Sequence, residues 1–270
     1  TNVNDGGEHG YISDLYYADI YDSHGNFSSW DSNHDGIFAE WKGTKKDIID
    51  LYPDVYVGRL ACRNSLEVRI VVHKIIKYES TPADPSWFNK LVVVGGDNWN
   101  DTGTNYLEGE VMCNKTVSLM QGFNPVKIYA SNKNTGGLVP TTEDITKTVS
   151  QGCGFLYFAG FGCPRMWSTH WPHDFTTWLS GLEWKNFSKI KNKEKLPICI
   201  AGGSWLTQFN VTMRSCKNNP YGMHVFVNES LPECWGWWLV QKINGGTIAT
   251  IGDTGNGYGY MGESGDINHD

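Results

Sequence analysis

Phe155-Leu156-Tyr157-Phe158-Ala159 runs into Gly160-Phe161-Gly162, and Ile198-Cys199-Ile200-Ala201 runs into Gly202-Gly203-Ser204. Each is a short, almost wholly apolar run stopped by glycine, the pattern of a strand buried on both faces of a parallel sheet. Working outward, Leu91-Val92-Val93-Val94 ends in Gly95-Gly96-Asp97, and Thr247-Ile248-Ala249-Thr250-Ile251 ends in Gly252-Asp253. A shorter strand reads at Val126-Lys127-Ile128-Tyr129, and Val55-Tyr56-Val57-Gly58-Arg59-Leu60 is expected to be the first strand. Helical patterns lie between. One is capped near Asn64 or Ser65 and ended by Pro82 and Pro85, a second runs around Leu107 to Met120, a third is opened by the capping pattern Thr141-Thr142-Glu143-Asp144, and a fourth runs from Trp235 to Ile243. This alternation predicts an α/β fold with a mostly parallel sheet. In such a sheet the four glycine turns share the carboxyl edge, where open α/β sheets build their sites.

The chain has 270 residues, 40% hydrophobic and 19% charged, which is enough to bury a full core. Its net charge of −7 comes without a basic block, so no nucleic-acid or anionic-lipid partner is expected. No apolar run approaches the roughly 18 residues of a membrane span. Thr1 begins no recognisable signal peptide, and the chain is expected to be a mature or internal piece. Six N-x-[ST] sequons, at Asn26, Asn100, Asn114, Asn186, Asn210 and Asn228, point to export and an extracellular or cell-surface location. Seven cysteines leave at least one unpaired. Cys216 and Cys234 are the candidate disulfide, flanking an irregular loop whose closure would offset about 3 kcal/mol of chain entropy.

Asp31-Ser32-Asn33-His34-Asp35-Gly36-Ile37-Phe38-Ala39-Glu40 carries oxygen ligands at alternate positions, a glycine for a sharp turn and a terminal carboxylate. That spacing wraps a hard cation, and calcium is expected, held by Asp31, Asn33, Asp35, the Ile37 carbonyl and Glu40. The glutamate falls two positions earlier than in an EF-hand, so the site is expected to be a calcium loop of another kind.

Two segments carry a resemblance: Phe158-Ala159-Gly160-Phe161-Gly162-Cys163-Pro164-Arg165-Met166-Trp167, and the stretch from Leu196-Pro197 through Ser204 to Phe209-Asn210. With Ser13-Asp14-Leu15-Tyr16-Tyr17-Ala18-Asp19, Val55-Tyr56-Val57-Gly58-Arg59, Glu108-Gly109-Glu110 and Asn244-Gly245-Gly246-Thr247, they resemble the gingipain-type cysteine peptidases, in order, from about Ser13 to Gly262. The resemblance implies a caspase-like, three-layer α/β/α sandwich. It divides the chain into an N-terminal segment, 1–53, belonging to the same domain, the gingipain-like domain proper, 54–262, and a tail, 263–270. In that family the first segment ends in Gly-His-Gly and the second delivers the nucleophilic cysteine. Carried over position by position, the general base falls on Phe161 and the nucleophile on Ser204.

A phenyl ring exchanges no proton, and an unassisted serine hydroxyl is a poor nucleophile at neutral pH. The resemblance therefore implies a pseudopeptidase, kept as a structural or binding module for a protein or peptide, or as a subunit of an extracellular surface assembly. The competing expectation is a working hydrolase that uses Ser204 or Cys163 with a displaced histidine, His170 or His173. Trp167 and Trp205 are expected to wall the cleft, and Cys199 to be a small buried hydrophobe. The family enters its Tyr-Tyr-Ala-Asp block from an earlier hydrophobic strand, whereas only Thr1 to Ile12, polar and glycine-rich, precede it here. Another segment or chain is expected to complete the sheet.

Overall fold

The computed structural model describes residues 12–40, 44, 46–82, 84–99, 105–211 and 231–257. Five parallel strands form the central sheet: β1 (Lys90–Gly95), β2 (Asn124–Tyr129), β3 (Phe155–Ala159), β7 (Ile198–Gly202) and β8 (Ala249–Gly252), in spatial order β2-β1-β3-β7-β8. β1 pairs with β3 from Leu91↔Phe155 to Gly95↔Ala159, and β3 with β7 from Phe155↔Ile198 to Ala159↔Gly202. Helices cover both faces. Helix α4 (Glu108–Leu119) packs its Cys113 over Leu91, Val93 and Ala159. On the opposite face α5 (Thr142–Ser150) and α6 (Trp235–Gln241) bring Ile145, Val149, Trp235 and Leu239 onto Val92, Val94, Leu156, Phe158 and Cys199. Because β1 is buried on both sides from Leu91 to Gly95, its sequence is a continuous apolar run and not an alternation.

The helix ends follow local chemistry. Asn64 caps α2 (Ser65–Ser80) by accepting from Glu67 N at 3.0 Å, and Thr141 caps α5 by accepting from Asp144 N. Gly109, in the first turn of α4, has no room for a side chain: a Cβ there would lie 2.5 Å from the Ala159 carbonyl oxygen. That contact brings the start of α4 directly against the carboxyl ends of β1 and β3.

Two expectations are corrected. Val55–Leu60 forms no strand; it is irregular and exposed, with Tyr56 fully open to solvent, because no described strand offers it a ladder. The second is a missed antiparallel sheet, β4 (Phe161–Cys163), β5 (Met166–Trp171) and β6 (Asp174–Glu183), which rises from the end of β3. Its middle strand buries Trp167, Ser168, Thr169 and His170 in succession, and register shifts interrupt its pairing with β6, so no period-two signal survives in the sequence. Residues 263–270, Cys216, Asn100 and Asn228 lie outside the described residues. Cys234 is a buried free thiol.

Candidate functional site

The four glycine turns do share one edge. β1, β3, β7 and β8 run parallel and end at Gly95, Ala159, Gly202 and Gly252, so Asp97, Phe161, Ser204 and Asp253 line the carboxyl edge of the sheet. Phe161 and Ser204 follow paired strands. Gly202 accepts from Gly160 N at 3.2 Å, and a Cβ on Gly203 would lie 2.9 Å from Gly162 N and 3.0 Å from the Phe161 carbonyl carbon. Only glycine permits this approach, and Gly203 takes a φ of 154° to make it. The two positions picked out by the sequence are thus brought together.

Their side chains are occupied differently from a catalytic pair. The Phe161 ring is held by edge contacts to Trp178 at 5.2 Å, His170 at 5.5 Å and Trp99 at 6.2 Å. Ser204 Oγ accepts from Gly257 N at 3.0 Å. No histidine ring is hydrogen-bonded to Ser204 or Cys163 among the described residues. Cys163 is buried at the end of β4 and burial raises its pKa, which disfavours the thiolate a nucleophile needs. Cys199, central in β7, is fully buried and pushed still further up by burial.

His170 is bound into the floor of this edge. Its backbone exchanges hydrogen bonds with Asp97, N–H to carbonyl in both directions at 3.2 and 3.3 Å, and its ring lies 4.0 Å from Trp178. Burial lowers its pKa, against the pull of Asp97, so the imidazole is held toward the neutral form. Asp97 is fully buried and accepts from His173 N at 2.8 Å. The expected cleft walls are corrected in part. Trp167 is wholly buried, packed on Phe158 with its indole N–H donated to the Gly202 carbonyl, so it is core. Trp99 and Trp178 are the exposed aromatics at the edge, and nothing in their local sequence distinguishes them. Trp205 is half-buried at a φ of 59° and donates its N–H to Gly255.

The segment after Ser204 is anchored by two arginines. The Arg59 guanidinium lies 4.3 Å from the Phe209 ring centroid, and Arg63 donates to the carbonyls of Phe209, Val211 and Pro232 and pairs with Glu233 at 3.3 Å. Glu67 accepts from Arg63 N and from the Trp237 indole. Burial, reinforced by Glu67 and opposed by Arg63, raises Glu233 from its ordinary 4.5 to about 7. A carboxyl with a raised folded pKa gives stability that is fully present below its unfolded value and lost as pH rises through the folded one. We therefore expect unfolding free energy to fall between about pH 4.5 and 7 by up to about 3 kcal/mol from this group, and Glu233→Gln to flatten that slope in denaturant titrations. An unchanged slope would place the titration elsewhere.

The Asp31–Glu40 loop folds back on itself. Asp31 accepts from Asp35 N at 3.0 Å and Gly36 N at 3.1 Å, Asn33 Oδ1 from Asp35 N, and Asp35 Oδ1 from Ile37 N. Left-handed residues at His34, Gly36 and Ala39 make the turns, and Glu40 Oε2 lies 3.4 Å from Asn33 Nδ2, so the terminal carboxylate does close over the loop. Asp47 accepts from Ser32 N and Glu40 N and pins both ends; these bonds overcome burial and hold its pKa low. The donors fit a hard cation in kind. No three His, Cys, Asp or Glu side chains are grouped as metal ligands among the described residues.

Of the sequons, Asn26, Asn114 and Asn210 are exposed and Asn186 is half-buried. No helix among the described residues is long and apolar enough to cross a membrane.

No curated protein matches the chain in sequence. Among solved structures, the Arg-specific cysteine proteinase gingipain R is similar with a TM-score of 0.58 and 17% identity, over 83% of this chain and 45% of that one. The complex of the gingipain pro- and mature domains from Porphyromonas gingivalis matches at 0.55 and 16%, over 82% and 46%. A structure described as a protease matches at 0.56 and 16%, over 92% and 41%. The chain thus spans less than half of each of these proteins, and the likeness shows a shared caspase-like α/β fold. The model of peptidase family C25 matches residues 2–269, and the chain belongs to that family.

Proposed function

We propose that this chain is a gingipain-like domain without peptidase chemistry, acting outside the cell as a binding or structural module. The observation that carries the reading is the environment of Phe161 and Ser204. The position of the family's base is filled by a phenyl ring packed among Trp99, His170 and Trp178, and the hydroxyl at the nucleophile position has a backbone N–H as its partner and no imidazole among the described residues. Without a base the serine is not activated. The exposed sequons at Asn26, Asn114 and Asn210 support an exported, glycosylated protein.

The partner is a protein or peptide. Val55–Leu60 and the exposed Leu66, Val68, Val72 and Ile76 of α2 offer open surface suited to a strand from another segment or chain. Calcium is the ion for Asp31, Asn33, Asp35, the Ile37 carbonyl and Glu40. Adding millimolar calcium is expected to raise the thermal midpoint by several degrees, EGTA to reverse the shift, and Asp31→Ala to abolish it. An equal midpoint with and without calcium would remove the ion from the proposal. The catalytic half of the reading is tested by a peptidase assay of the wild-type chain beside a variant with the dyad restored.

A further inference from the structure

Helices α2 and α6 lie side by side and run in the same direction. Arg63, just before α2, donates to the Pro232 carbonyl and pairs with Glu233 at 3.3 Å, just before α6. Further along, Glu67 accepts from the Trp237 indole at 3.3 Å, and Lys74 reaches the Val240 carbonyl at 2.6 Å. These partners climb both helices together, so the amino ends of the two helices meet. A cysteine stands at each end: Cys62, two residues ahead of the Asn64 cap, and Cys234, the N-cap of α6. Cys62 packs against the small cluster that Cys234 forms with Val71, Trp237 and Val240. Residues facing one another across two packed helices come within the roughly 4.4–6.8 Å between Cα atoms that a disulfide spans.

The two thiols share an environment and differ in access. Burial raises both pKa values, Cys234 to about 11, and Glu233 adds to the rise in each, so one carboxyl acts on both sulfurs. Of the described cysteines Cys62 alone is partly exposed; Cys113, Cys153, Cys163, Cys199 and Cys234 are buried. A dissolved disulfide therefore reaches Cys62 first, and a second sulfur packed beside it completes the exchange.

We propose that Cys62 and Cys234 close a disulfide that staples the start of α2 to the start of α6. The bridge rests on the reading that the chain is exported, to a compartment where small disulfides supply the oxidant. The Cys62 thiolate attacks oxidised glutathione, forming a mixed disulfide and releasing one glutathione thiolate. The Cys234 thiolate then attacks the Cys62 sulfur and expels the second. Two cysteine thiols thus give up two electrons and two protons, and two molecules of reduced glutathione form. The pairing excludes Cys216–Cys234, because Cys234 has one sulfur.

The test is peptide mapping by mass spectrometry of the folded whole chain, incubated with oxidised glutathione in mildly alkaline buffer, alkylated and digested without reduction. A linked peptide holding Cys62 and Cys234, lost on reduction, is expected, and Cys234→Ser should instead trap glutathione on Cys62. Oxidation should raise the thermal midpoint of the wild-type chain and of Cys216→Ser by several degrees, and leave that of Cys234→Ser in place. A Cys216–Cys234 peptide, glutathione retained on Cys62 of the wild-type chain, or both thiols left free to alkylate would each overturn the pairing. The oxidant is added in vitro, so such a result counts against the bridge whether or not the chain is exported.

Discussion

Replacing Lys74 with methionine is expected to destabilise the chain by about 3–5 kcal/mol, lowering the thermal midpoint by on the order of 10 °C. The Lys74 ammonium, on the inner side of α2, donates to the carbonyls of Val240 at 2.6 Å, Thr247 at 2.9 Å, Gly245 at 3.0 Å and Lys242 at 3.3 Å. These carbonyls belong to the end of α6 and the turn that leads into β8, where the backbone has no helical N–H left to satisfy it. Burial, with help from Lys242, draws the Lys74 pKa down to about 7, and the carbonyls oppose this because an ammonium has three protons to donate and an amine two. Methionine keeps the length and leaves four oxygens turned toward an apolar thioether. Lys77 is one turn away and pairs with Glu194 on the open surface, so Lys77→Met should cost less than about 1 kcal/mol. Equal losses for the two variants, measured by denaturant unfolding, would mean that the carbonyl cage contributes nothing particular.

The larger effect concerns catalysis. In subtilisin, loss of the base or of the nucleophile alone costs about 10⁶ in turnover. On the proposed reading both positions differ from the family, and no neighbouring group among the described residues is placed to replace them. His170 is committed to the aromatic cluster and its backbone to Asp97, and the Cys163 thiol is buried and held protonated. Peptide hydrolysis at the uncatalysed rate is therefore expected of the wild-type chain. The scaffold around the dyad is retained: the strand ends pair, and Gly162 and Gly203 bring the two loops into contact. Phe161→His with Ser204→Cys should recover turnover on the order of 10²-fold or more over background, the scale that a positioned base supplies.

Much of this layout was legible in the sequence because the parallel strands are buried on both faces and write themselves as apolar runs. Leu91-Val92-Val93-Val94 and Phe155-Leu156-Tyr157-Phe158 could hardly be anything else, and the glycines that stop them mark the functional edge. Caps such as Asn64 and Thr141 are local signals and survive folding unchanged. Long-range partnerships leave no such trace. Val55–Leu60 has strand composition, yet a strand exists only if a neighbour supplies its ladder, and none does among the described residues. The β4–β6 sheet hid behind a middle strand that buries polar Ser168, Thr169 and His170. The sequence puts Trp167 on the cleft wall, whereas the hairpin turns it inward and the distant Trp99 and Trp178 stand at the edge. The Arg63 and Lys74 anchors join residues more than 140 positions apart, which no periodicity reveals.

Assaying the wild-type chain and the Phe161→His/Ser204→Cys variant side by side against a fluorogenic peptide library tests the proposed loss of peptidase chemistry most directly. Product release only by the double variant is the predicted result. Cleavage by the wild-type chain that disappears in Ser204→Ala or Cys163→Ala would contradict it.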